Sequence, residues 1–126
     1  MALSLLLVED NERTRTQILS ILQKSEFQIT VAIDGLDALN QARMGSFDVV
    51  LLDHKMPLMD GLTLLKNLRD EPLYANTPLL LMTTAEPKQI SKKAERLGAN
   101  VVLGKPLDAE FLLTKLRHFA LDRVVA

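Results

Sequence analysis

Four short apolar runs, separated by longer stretches, constrain the fold of this chain more than any other feature. Each run is too short for a helix and shows no polar alternation, which is typical of strands covered on both faces. The runs are residues 5–8, 49–52, 79–82 and 101–103. Residues 28–33 differ, because Ile29, Val31 and Ile33 alternate with other residues and share one side. This alternation predicts a half-buried strand at a sheet edge.

Between these segments, apolar residues recur every three or four positions, as they do along one face of an amphipathic helix. The five stripes are Thr14, Ile18, Ile21 and Leu22; Leu36, Leu39 and Ala42; Leu62, Leu65 and Leu68; Ile90, Ala94 and Leu97; and Leu112, Leu116, Phe119 and Ala120. Strand and helix therefore alternate five times, and right-handed crossovers place helices on both faces of a parallel sheet. We predict one α/β domain, residues 1–126, with a doubly wound five-stranded parallel sheet.

Composition excludes several classes of protein. The chain has 126 residues, and its 15 basic and 16 acidic residues give a net charge of −1. A protein that binds nucleic acid directly, or a polybasic membrane-surface protein, needs a large positive excess. Cysteine is absent, which removes disulfides and thiolate metal sites. With no apolar run of membrane-spanning length and no basic segment before the first run, we expect a soluble cytoplasmic domain with no contact to a membrane.

Polar side chains follow four of the five predicted strands. Glu9 and Asp10 follow the first run, Asp53 ends the third strand segment, Thr83 follows the fourth, and Lys105 stands just beyond the fifth. Each alone is ordinary for a strand end, but ligand sites of open α/β sheets lie at this edge. Three carboxylates without a cation would repel one another, and a hard divalent ion removes that difficulty. We therefore predict a small Mg²⁺ site that accepts a phosphoryl group.

These residues stand in motifs that resemble those of the response regulator receiver domain, the CheY-like domain of two-component signalling. The resemblance covers essentially the whole chain. Its most specific part is the segment Asp-x-x-Met-Pro-x-Met-Asp-Gly, which begins at Asp53 and is correctly spaced from the other motifs. Those other motifs are Leu-Val-Glu-Asp-Asn at residues 7–11, Met-Thr-Thr at 82–84 and Lys-Pro at 105–106. The resemblance implies a flavodoxin-like fold with strand order 2-1-3-4-5.

The resemblance also implies a set of metal ligands. Asp53 is the expected phosphoacceptor, and Asp10 and Asp53 are expected to bind Mg²⁺ directly, together with the backbone carbonyl of Lys55. Glu9 is expected to act through a metal-bound water. A carboxylate is already ionised near neutral pH, so Asp53 needs charge neutralisation and alignment rather than a general base.

The remaining implied roles concern the phosphoryl group and its source. Lys105 is expected to pair with one phosphoryl oxygen and Thr83 to bond another once Asp53 is modified. The donor is expected to be a sensor histidine kinase or a phosphotransfer protein, which carries a phosphohistidine. The chain is not expected to be an enzyme beyond its own phosphoryl transfer and dephosphorylation. A cis bond between Lys105 and Pro106 is also implied.

The sequence departs from the family pattern at two positions on either side of Lys105 and Pro106. Val102 stands where an aromatic residue is common, and Leu107 stands where Phe is frequent. We hypothesise that phosphorylation is retained but is read through the loops at 55–60 or 84–88. Lys55 and Ala85 cannot orient an attacking water as an amide or acid can, so we predict slow self-dephosphorylation.

Other interpretations remain open at this point. A degenerate receiver that acts only as a protein-interaction module is the main alternative, whereas an aspartyl phosphatase is disfavoured because Lys55 occupies the place of a second acid. Strand alternation directs His54 away from Asp53, so we expect an exposed or packed side chain. The sequence does not identify the kinase, the downstream partner or output domain, the oligomeric state, or whether the chain is a fragment.

Overall fold

The computed structural model describes residues 2–125, in which five strands and five α helices alternate. The strands are β1 (Leu3–Val8), β2 (Phe27–Ala32), β3 (Val49–Asp53), β4 (Leu79–Thr83) and β5 (Val101–Gly104). The helices are α1 (Glu12–Leu22), α2 (Gly35–Met44), α3 (Gly61–Asp70), α4 (Pro87–Leu97) and α5 (Ala109–Val125). A short 3₁₀ helix at Pro72–Tyr74, which the sequence analysis did not predict, links α3 to β4. The first and last residues of the predicted domain lie outside the described residues.

The five strands form one parallel sheet in the order β2-β1-β3-β4-β5. Two buried apolar clusters lie on its opposite faces. Residues of α2, α3 and α4 pack on one face, and residues of α1 and α5 pack on the other. The predicted doubly wound, flavodoxin-like fold is therefore confirmed, and β2 lies at the predicted edge.

Burial explains why the central strands read as unbroken apolar runs. Every residue of β3 and β4 is buried, because helices cover both faces of the sheet. Two residues assigned to inward-facing stripes are instead exposed: Ile33 is 56% exposed and Leu36 is 46% exposed. The strand β2 ends at Ala32, so its alternation no longer sets the direction of Ile33, and Leu36 lies in the first turn of α2 at the sheet edge.

Helix caps position the residues that follow the strands. The side chain of Asn11 accepts a hydrogen bond from the backbone N–H of Thr14 at 2.9 Å and caps α1. Asp60 caps α3 in the same way through the N–H of Thr63, at 2.9 Å. Because Asn11 is the cap, Asp10 stays at the rim of the sheet with an exposed side chain. Across residues 2–125, no helix has both the length and the apolar character needed to cross a membrane.

Candidate functional site

The carboxyl edge of the sheet brings the predicted polar residues together. Glu9 and Asp10 follow β1, while Asp53 and Thr83 are the last residues of β3 and β4. Lys105 follows β5 directly, and its Nζ donates to Oε1 of Glu9 at 2.9 Å and to Oδ1 of Asp53 at 3.1 Å. One ammonium group therefore joins the carboxylates of two strands. The implied cis bond between Lys105 and Pro106 is present.

The buried carboxylates and Lys105 perturb one another. Burial raises the pKa of Glu9, and the nearby charge of Asp53 adds to this, while the hydrogen bond from Lys105 offsets part of the rise. Burial alone would lower the pKa of Lys105, but its bonds to Glu9 and Asp53 outweigh burial and raise that pKa. Lys105 is thus held in its charged form, as a fixed cation beside the two acids.

The two oxygens of Asp53 have different surroundings. Oδ1 accepts from Nζ of Lys105 and from the backbone N–H of His54 at 3.0 Å. No hydrogen bond within the described part of the chain uses Oδ2. Asp53 is 6% exposed overall, so the carboxylate is fixed and nearly enclosed while one oxygen keeps its lone pairs for another group.

The donor set fits a hard divalent cation. Carboxylate oxygens of Glu9, Asp10 and Asp53 all lie within 4.8 Å of one another. Oxygen donors of this kind suit Mg²⁺, which takes one or two carboxylates and completes its shell with water and phosphate. Lys55 lies in the loop after Asp53 with an exposed side chain, and no hydrogen bond among the described residues engages its carbonyl oxygen.

A second group of contacts lies beside the acids. Oγ1 of Thr83 is 2.8 Å from Nδ1 of His54 and accepts from the N–H of Ala85 at 3.0 Å. His54 is 4% exposed, so of the two expected outcomes the packed one is correct, and burial lowers the pKa of its imidazole. The sequence analysis missed the bond to Thr83. The contact follows from the register of β3 and β4, because Asp53 pairs with Met82, which brings His54, the residue after β3, next to Thr83.

The fold and this edge define a class of protein: open parallel α/β domains with acidic side chains and a lysine at the carboxyl ends of the strands. Comparisons with known proteins identify the family within this class. A sequence model of the response regulator receiver domain matches residues 5–117. The chain is 37% identical over 124 residues to the transcriptional activator protein PfeR of Pseudomonas aeruginosa, covering 95% of this chain and 40% of PfeR.

Solved structures of similar proteins indicate the same family. The chemotaxis response regulator CheY4 of Vibrio cholerae has a TM-score of 0.85 and 32% identity, covering 94% of this chain and 99% of CheY4. The receiver domain of the sensor histidine kinase PA1611 of Pseudomonas aeruginosa, solved with a magnesium ion in its active-site cleft, has a TM-score of 0.85 and 25% identity, covering 94% of this chain and 98% of that one. The chain therefore belongs to the response regulator receiver domain family. It spans less than half the length of the curated relatives it matches.

Proposed function

We propose that this chain is the phosphoacceptor domain of a histidine-to-aspartate phosphorelay, and that Asp53 accepts the phosphoryl group. The observation that carries the proposal is the asymmetry of the Asp53 carboxylate. Oδ1 is held by Lys105 and by the His54 N–H, while Oδ2 has no hydrogen bond within residues 2–125. A nucleophile needs this combination of a fixed orientation and an available lone pair.

The donor in this proposal is a phosphohistidine of a sensor histidine kinase or a phosphotransfer protein. Oδ2 of Asp53 forms a bond to phosphorus as the phosphorus–nitrogen bond breaks, and the imidazole leaves with that electron pair. Lys105 turns its ammonium toward a phosphoryl oxygen, and its charge compensates the negative charge that gathers there. The chain acts on itself in this way and is not a classical enzyme.

Mg²⁺ is the proposed cofactor, and it supplies charge neutralisation between the acids and the phosphoryl oxygens. Asp10 and Asp53 would hold it directly, the backbone carbonyl of Lys55 would complete the protein ligands, and Glu9 would act through a water. The clustered oxygens of Glu9, Asp10 and Asp53 support this assignment. The magnesium ion named for the PA1611 receiver domain supports it by analogy.

The phosphorylated domain is proposed to switch conformation and so to control a separate partner or an output domain. In this proposal Thr83 donates its hydroxyl proton to a phosphoryl oxygen, and its position at the end of the strand that pairs with β3 supports this role. The modification biases the equilibrium between two conformations only by the difference in its contacts between them.

Acetyl phosphate with Mg²⁺, followed by intact mass spectrometry, tests the proposal. We expect the native chain to gain one phosphoryl group that hydroxylamine removes, and the Asp53→Asn variant to gain none. Asp48→Asn is the matched control, because Asp48 immediately precedes β3, at the end opposite Asp53, and the variant retains Asp53. If the native chain stays unmodified, the proposal is wrong and the phosphorylation-independent interaction module becomes the better interpretation.

A further inference from the structure

The hydroxyl group of Thr83 has two polar partners in the described structure. The backbone N–H of Ala85 donates to Oγ1 at 3.0 Å, and Nδ1 of His54 lies 2.8 Å away. Thr83 is 1% exposed and His54 is 4% exposed, so bulk water does not compete for these groups. The contact between these two side chains lies beside the acidic site and has no part in the chemistry described above, which uses only the hydroxyl of Thr83.

The donor and acceptor capacities of these groups determine the direction of the hydrogen bond between Thr83 and His54. A hydroxyl group has one proton to donate, and a backbone N–H can only donate. Of the two partners that the described residues offer to Thr83, Nδ1 of His54 is therefore the only one that can accept this proton. Because buried hydroxyl protons are rarely left without an acceptor, Thr83 donates to Nδ1 and the imidazole carries its own proton on Nε2.

A phosphoryl group on Asp53 needs the same proton. Ionised phosphoryl oxygens only accept hydrogen bonds, so Thr83 can bond one of them only by donating. The single proton of Oγ1 cannot serve Nδ1 of His54 and a phosphoryl oxygen together. The two acceptors therefore exclude each other.

We propose that His54 is a positioning residue that holds the Thr83 hydroxyl in its unphosphorylated arrangement, and that the phosphoryl group must displace this bond to engage Thr83. The inference rests on the proposed function and adds a regulatory contact to the same site. It assigns to His54 a share of the free energy that separates the two conformations.

Two variants of matched shape test the role. His54→Leu and His54→Asn have the same branching, but only Asn keeps an atom at the δ position that can accept the Thr83 proton. The readout is the apparent affinity for beryllofluoride, a phosphoryl analogue, in saturating Mg²⁺, followed through the amide resonance of Ala85. We expect His54→Leu to bind about three- to tenfold more tightly than the native chain, the range that one buried hydrogen bond supplies. His54→Asn is expected to stay within about twofold of native on the same grounds.

A double-mutant cycle with Thr83→Val separates positioning from packing. Without the hydroxyl, His54 has no proton to hold, so His54→Leu is expected to change the affinity of the Thr83→Val chain by less than about twofold. An equal tightening in the Leu and Asn variants, or a full effect that persists in the Thr83→Val background, would assign His54 to packing and overturn the inference.

The same samples distinguish failure of the inference from failure of the proposed function. A native chain that binds no beryllofluoride overturns the proposed function and the inference with it. A native chain that binds, with Leu and Asn variants of equal and unchanged affinity, overturns the inference alone. Nitrogen-15 correlation spectra of the imidazole give an independent check: a proton on Nε2 supports the inference, and a proton on Nδ1 contradicts it.

Discussion

Lys105 is the residue on which the charge balance of the site depends. Its side chain is 14% exposed and lies between the side chains of Glu9 and Asp53, which are 0% and 8% exposed. Two carboxylates buried together without a cation would each resist ionisation. By bonding one oxygen of each, the ammonium keeps the acids close together and still leaves oxygens for a metal ion.

Replacing Lys105 with Met should therefore leave two buried acids without their cation. We expect Lys105→Met to lower the free energy of unfolding by about 3 kcal/mol in EDTA, as measured by urea denaturation. Mg²⁺ should return more stability to this variant than to the native chain, because it supplies the missing positive charge. Lys66→Met is the control, since the Lys66–Asp70 pair is exposed and should matter by about 0.5 kcal/mol or less. Equal losses in the two variants would contradict the role of Lys105.

Under the proposed function, single residues near Asp53 also determine how long a phosphoryl group stays on its carboxylate. Lys55 has an exposed side chain and cannot orient a water for attack as an amide can. We expect the native chain to lose the phosphoryl group slowly in Mg²⁺. In Lys55→Asn the loss should be about three- to tenfold faster, because the amide can donate or accept one hydrogen bond with the attacking water. The measurement is the decay of the modified mass with time. Lys88→Asn, an exposed change at the start of α4, should not alter the rate, and rapid loss from the native chain would refute the prediction.

Sequence reasoning placed the acids and Lys105 at one edge, because parallel strands end together and polar residues follow each apolar run. It could not assign individual bonds. Whether Lys105 bonds Glu9, Asp53 or both depends on side-chain reach across three strands, and the contact of His54 with Thr83 depends on the register of β3 and β4. Neither quantity is encoded in the pattern of apolar and polar residues along one segment.

At the scale of elements, the junction of β3 with α3 fixes the site. The N–H of Gly61, the first residue of α3, donates to the carbonyl oxygen of His54 at 2.8 Å. The helix end approaches so closely that a methyl group on Gly61 would overlap the carbonyl oxygen of Asp53. The start of α3 therefore holds the end of β3 directly, and Asp53 with it.

Gly61→Ala should consequently disturb both stability and metal binding. We expect a loss of about 2 kcal/mol in the free energy of unfolding, because backbone rather than a flexible side chain must move. Mg²⁺ affinity, measured by calorimetry, should weaken as the carboxylate of Asp53 shifts. Gly45→Ala is the matched control at the end of α2, where the nearest atom to an added Cβ is 3.5 Å away. If both variants behave alike, close packing at Gly61 does not position Asp53.

The elements themselves were well predicted where burial decides their sequence. The strands β3 and β4 are covered on both faces, so their apolar runs differ from their bounds in the structure by one residue at the carboxyl end. Prediction failed where burial stops: Ile33 and Leu36 lie beyond the end of β2, and about half of each residue is exposed. The 3₁₀ helix at Pro72–Tyr74 has too few residues to show a periodic pattern.

Considered as a whole, the molecule places Asp53, the proposed phosphoacceptor, and α4 on opposite faces of the sheet. Leu51 belongs to the cluster beneath α1 and α5, and Leu52 to the cluster beneath α2, α3 and α4. Because side chains alternate along a strand, Asp53 continues the side of Leu51 and His54 that of Leu52. Under the proposed function, a signal from Asp53 would have to cross the sheet edge to reach α4, and the contact between Thr83 and His54 lies at that edge.

Val102 affects how far a structural response at Thr83 can extend toward α4 and α5. Val102 pairs in register with Leu81 and packs against the cluster beneath α4, but its side chain is too short to follow a movement of Thr83 as an aromatic ring could. We therefore expect amide shifts on adding beryllofluoride and Mg²⁺ to concentrate in residues 55–60 and 84–88 and to stay small across 90–116. In Val102→Tyr the shifts should extend into 90–116, whereas Val101→Tyr, on the opposite face of β5, should not extend them. Large shifts across 90–116 in the native chain would show that the response reaches α4 and α5 without an aromatic residue at position 102.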